Sequence, residues 1–95
     1  ILLPLPIKGE SAMSIASYAE VRDMVIRGDN GINQYCIIAV DEFSFEDYPI
    51  YAVDRNEAIS LIDRANSLNM QRVLEVYNYQ QDLEEQFKEF RTWRI

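Results

Sequence analysis

Tyr35-Cys36-Ile37-Ile38-Ala39-Val40 is apolar at every position. Successive side chains on a strand point to opposite faces, so a half-exposed strand alternates apolar with polar residues. Six apolar residues in a row predict a strand covered on both faces, at the centre of a sheet. This is also the longest uninterrupted apolar stretch in the chain. A membrane-spanning helix needs about twenty such residues, so no span and no membrane partner are predicted. For 95 residues, surface scaling gives roughly 5,700 Å² folded against about 16,000 Å² unfolded, enough for one modest core. A hydrophobic fraction of 48% argues against global disorder.

The flanking patterns define the other elements. Ser17-Tyr18-Ala19-Glu20 is a capping-box sequence, and Tyr18, Val21, Met24 and Val25 follow on one helical face. A helix from Tyr18 to Arg27 is predicted, with Gly28 as its C-terminal stop. Gly28-Asp29-Asn30-Gly31 reads as a turn. After the apolar strand, polar residues lead to a second strand, Tyr48 to Val53. Pro49 lacks an N–H for a ladder and assigns that strand to a sheet edge. Asp54 and Glu57 repeat the capping pattern before the stripe Ala58, Leu61, Ile62, Ala65 and Leu68, with Asn69 as the stop.

Gln71 to Tyr77 is the third strand. Strict alternation puts Val73, Glu75 and Tyr77 on one face and Arg72, Leu74 and Val76 on the other. Asn78 with Gln81 predicts a third cap, before a helix whose Leu83, Phe87 and Phe90 line one face. Asp82, Glu84 and Glu85 fall in its first turns and Lys88, Arg91 and Arg94 in its last, which complements the helix dipole. The order αββαβα implies an α+β fold with a mainly antiparallel three-stranded sheet in the order 2-1-3. Residues 1–12 hold two of the three prolines and show neither period. They read as an extended arm, or as a segment preceding a natural start at Met13, and 13–95 as a single domain.

Composition narrows the chemistry. The chain has no His, one Cys, and 16 acidic against 9 basic residues, for a formal charge of −7. Imidazole catalysis, an internal disulfide and a thiolate metal site are excluded. So acidic a surface also repels phosphate, and direct nucleic-acid binding is not expected. No nucleophile-elbow, phosphate-loop or dinucleotide sequence occurs. No cofactor and no enzymatic activity are predicted. The single Cys36, placed inside the apolar run, reads as a buried small hydrophobe and indicates the cytoplasm.

One segment stands out as a partner-binding candidate. Asp41, Glu42, Glu46 and Asp47 crowd one hairpin connection, with Phe43 and Phe45 between them. Their spacing is not that of a calcium loop. Two carboxylates in glycosidase roles would need a deeper cleft than three short strands build. A solvated tip is the plain alternative, its like charges discouraging edge aggregation. Exposed aromatics flanked by charge favour a docking surface for a basic site. Lys88, Arg91, Trp93 and Arg94 form a weaker aromatic-basic patch, for which the helix dipole already accounts.

The reading is therefore a small acidic binding protein that inhibits or modulates a larger protein or protein–nucleic-acid complex with a basic surface. Its profile, though no motif, resembles small phage or mobile-element proteins that block host nucleic-acid-handling machinery. The alternative is a homo-oligomeric structural or regulatory subunit, for instance a homodimer. It would pair through the third strand, whose edge carries only Arg72 and Glu75 as protection, or through the last helix.

Overall fold

The computed structural model describes residues 17–68 and 70–95. The predicted arm, Met13 and the Asn69 stop lie outside the described residues. The elements are α1 (Tyr18–Arg27), β1 (Tyr35–Asp41), β2 (Glu46–Ala52), α2 (Arg55–Ser67), β3 (Gln71–Asn78) and α3 (Leu83–Lys88). The sheet order is β2-β1-β3, with both pairings antiparallel. The α+β, αββαβα architecture matches the sequence reading. Among the described residues, no helix is long and apolar enough to cross a membrane.

β1 is central because both its faces are covered. Tyr35 and Ile37 pack beneath α2 with Ala52, Ala58, Ile62, Ala65, Val73 and Val76. Cys36 and Ile38 pack on the opposite side with Val25 of α1, Tyr77 and Phe87 of α3. The local caps that start α1 and α2 are present. Ser17 and Glu20 bond reciprocally to each other's backbone N–H. Asp54 accepts the Glu57 N–H at 2.8 Å, while the Glu57 carboxylate reaches back to the Val53 N–H. Such side chains satisfy donors that the first helical turn leaves unpaired.

β3 departs from strict alternation. Ile38 lies opposite Glu75 but Ala39 lies opposite Val73, so Leu74 is an extra residue bulging from the ladder. The bulge moves Val73 to the α2 face beside Val76, not to the Tyr77 and Glu75 face predicted by period two. Its N–H is taken by the Asn66 side chain of α2 at 2.9 Å.

The C-terminal region differs more. The cap of α3 is Asp82, which accepts from the N–H groups of Glu84 and Glu85, not Asn78. Asn78 instead accepts from the Gln80 N–H in the preceding turn. The helix stops at Lys88, so Phe90, Arg91 and Arg94 are not on its face or in its last turn. Phe90 is 76% exposed. After a turn with Arg91 at φ 57°, Trp93 bridges Val76 in parallel. The Val76 N–H donates to Thr92 O and the Arg94 N–H to Val76 O, at 3.0 and 2.9 Å. Glu89 ties this return by accepting from the Thr92 hydroxyl and the Arg94 guanidinium. Edge pairing plus that cluster outweighs one more turn of helix. The β3 edge groups of Val73 and Val76 are consequently occupied within the fold.

Gln86 locks α3 to the end of β3. Fully buried, its amide accepts the Asn78 N–H and donates to Asn78 O, both at 2.8 Å. It thus pairs with one residue as a neighbouring strand would. On the outer side, Arg22 of α1 grips Glu84 with both terminal nitrogens, at 3.0 and 2.6 Å. The same guanidinium lies 4.7 Å from the Phe87 ring centre.

The C terminus of α1 meets two tyrosines. Tyr51 Oη donates to Met24 O at 2.7 Å and Tyr79 Oη to Val25 O at 2.5 Å. Both carbonyls lie in the last helical turn, and Val25 O also accepts the Gly28 N–H at 3.1 Å. Gly28 is at φ −85°, an ordinary value for any residue. It is needed here for space, because a Cβ would lie 2.2 and 2.4 Å from Tyr51 ring carbons.

Candidate functional site

The β1–β2 hairpin carries the predicted docking segment to one end of the sheet. Its turn is tighter than the expected connection from Asp41 to Asp47. Asp41 ends β1 opposite Glu46, which begins β2, leaving Glu42, Phe43, Ser44 and Phe45 in the turn. Asp41 closes it in two ways. Its Oδ1 accepts the N–H of Phe43 at 2.9 Å and of Ser44 at 3.4 Å. Its carbonyl accepts the Phe45 N–H at 2.6 Å. Closing so short a turn puts Phe45 in the left-handed region, at φ 61°. Glycine suits that region, and a bulky residue there is uncommon, at a cost of about 1 kcal/mol.

The six predicted site residues divide by environment. Phe43 is 78% exposed at the tip and Phe45 42% exposed beside it. Glu46 is exposed and Asp41 is engaged in the turn. Glu42 faces Arg72 of β3 at 3.4 Å. Asp47 is half-buried on β2 and has interactions of its own within the fold. The four carboxylates are therefore not four equivalent free charges. Among the described residues, no group of three or more His, Cys, Asp or Glu is placed to hold a metal ion.

Sequence spacing did not reveal the tip's neighbour, the turn between α2 and β3. One bond joins them directly, Glu42 N–H to Met70 O at 2.6 Å, and two contacts tie the hairpin to the start of β3 beside that turn: the Glu42–Arg72 ion pair, and Tyr48 Oη to Gln71 Oε1 at 2.7 Å. Met70 is also left-handed, at φ 66°, and 48% exposed. Leu68, predicted to complete the α2 stripe, is 47% exposed at the same end. The signal available in the sequence was the pairing of Asp41 with Gln71 implied by the 2-1-3 order.

Cys36 is wholly buried, as expected of a small core hydrophobe. Burial pushes its thiol up to about 12 from 9.0. Burial also raises Tyr77 and Tyr79 above their ordinary value of 10.0. A raised pKa means that the fold favours the protonated form. These groups' contribution is complete below the unfolded-state pKa values and is lost as pH climbs towards the folded-state values. The melting temperature is expected to hold steady from about pH 7 to about pH 9 and fall steadily above it. Calorimetry across that range tests this. A melting temperature that is flat or rising above the unfolded-state values would count against a buried thiol–phenol cluster.

No known family model, curated protein or solved structure compared with the chain matches it.

Proposed function

We propose that this is a non-catalytic cytoplasmic binding protein that docks its hairpin tip on a basic site of a larger macromolecular assembly and so inhibits or modulates it. Block of a nucleic-acid-handling machine, in the manner of small phage or mobile-element proteins, is the role that best suits so acidic a chain. One observation carries the reading. Phe43 projects 78% exposed from a short, internally bonded turn, with Glu42, Glu46 and Asp41 around it. An exposed aromatic on a preorganised turn loses little entropy on docking, and flanking carboxylates steer it towards positive charge.

Asp41 holds the turn and Asp47 is half-buried, so charge reversal falls on the exposed Glu46 and on Glu42, whose reversal also breaks its pair with Arg72. With a partner first isolated by pull-down, Glu42→Lys with Glu46→Lys is expected to slow association about tenfold. Added salt should slow the wild type, because exposed charges are screened beyond about 8 Å at physiological ionic strength. Phe43→Ser should act on dissociation, where lost buried contacts register. Surface-binding kinetics at two ionic strengths read all three. Wild-type rates in both variants would reduce the tip to a solvated turn.

A further inference from the structure

We propose that the docking surface is composite. It comprises the hairpin tip and the α2–β3 turn, and it receives a protein partner that presents an apolar stripe bordered by Lys or Arg. This rests on the reading that the tip binds a basic site, and it adds the second element and the partner's chemistry.

Size is the first reason. A specific protein interface covers about 800 Å² on each partner, some twenty to thirty residues. A tip of seven residues falls short, so a stable complex must draw on whatever adjoins it. What adjoins it is the turn carrying Leu68 and Met70, fixed by the Glu42 N–H to Met70 O bond and the Glu42–Arg72 pair. The surface's composition is the second reason. Phe43, Phe45, Leu68 and Met70 are all large, apolar and exposed, and the Glu42 N–H to Met70 O bond brings their two turns to one end of the sheet. Grouped apolar surface rimmed by charge marks an interaction site, whereas scattered exposed residues do not.

Backbone geometry is a third, separate observation. Phe45 and Met70 both hold positive φ, where Gly or Asn would sit at lower cost. Neither side chain is buried in the fold. Each turn thus keeps an apolar side chain at a position where a smaller residue would fit the backbone better.

Charge decides the occupant. Glu42 and Glu46 adjoin this end, and Glu42 already answers Arg72. The uncompensated charge is negative, on a chain of net charge −7. Phosphate is repelled, and the two Phe rings lack the basic groove that tracks a nucleic-acid backbone beside its stacking aromatics. A protein segment with an apolar stripe and cationic borders satisfies both parts of the surface.

A synthetic amphipathic helix of Lys and Leu serves as the probe, read by amide chemical shifts at near-physiological salt. Shifts are expected at Asp41 to Asp47 together with Leu68, Met70 and Arg72. Leu68→Ser with Met70→Asn should weaken binding about tenfold, mostly through faster dissociation. Asn suits positive φ, so the turn persists in that variant, and its spectrum confirms the fold. If this pair binds the probe like wild type while Glu42→Lys with Glu46→Lys weakens it, the tip acts alone. The composite surface is then overturned and the proposed function stands. A Lys and Ser probe that binds as tightly as Lys and Leu would overturn the apolar half. Shifts centred on α1 or α3, unaffected by either pair, would overturn both.

Discussion

Replacing Ile37 or Ile38 by Ala is expected to lower the unfolding free energy by about 2–5 kcal/mol. Neighbours in sequence, these residues belong to different halves of the core. Ile37 packs beneath α2, and Ile38 packs towards α1 and α3. Both are fully buried, so the lost methylenes leave cavities that rigid strand backbone cannot collapse to fill. A domain of this size is stable by only about 5–15 kcal/mol, so either change removes a large share. Chemical denaturation should show a lower midpoint with an unchanged slope. A wild-type midpoint in either variant would mean that one face of β1 is open, and the three-layer arrangement would fail.

Gly28→Ala is expected to destabilise by about 3 kcal/mol, although the backbone angle here is one that alanine adopts. The backbone at φ −85° accepts alanine freely, and the reduced freedom of the unfolded chain would favour it by about 0.4–1 kcal/mol. Space opposes it. The new Cβ would meet Tyr51 ring carbons at 2.2 and 2.4 Å and Tyr79 Oη at 2.5 Å. Relieving that clash moves both rings and loosens their bonds to Met24 O and Val25 O. Thermal melting with near-ultraviolet dichroism reports both the stability and the tyrosine environment. A raised melting temperature would show that the rings do not lie over Gly28.

What could be read from the sequence was set by distance along the chain. The caps at Ser17 and Asp54 involve residues three apart, and the structure holds both. Pro49 placed β2 at an edge because a missing N–H is a local property. The middle position of β1 followed from six residues without a polar break. Period two failed at β3, because one bulged residue shifts the faces and the Asn66 side chain that accommodates it comes from α2. The length of α3 was misread for a similar reason. Phe90 continues a helical spacing, yet Thr92 and Arg94 find partners on β3 and Glu89 that only the folded chain supplies. Gly28 stops α1 where the sequence predicts, but what requires glycine there is room for two distant rings, which no local spacing announces. At the candidate site, the aromatic and acidic residues of the tip were legible, but nothing in Leu68 or Met70 announced that their turn would adjoin it.

The order in which contacts form follows from the hairpin. Its ends are only a short turn apart, and closing a short loop is the least costly step in entropy, completed within about 1–10 µs. β3 pairs with β1 across a longer loop that contains α2, and the C-terminal bridge to Val76 pairs with β3 in turn. The Asp41–Phe45 turn is therefore expected among the earliest structure on the path. Strain in an early element is felt mainly in the folding rate, since it is present in the transition state as well as the native state. The left-handed Phe45 is thus expected to slow folding, and Phe45→Gly to speed it with little change in unfolding rate. The hairpin tip gains its aromatic side chain at the expense of speed, while the lifetime of the folded molecule is left to β3, α2 and the contacts that close last.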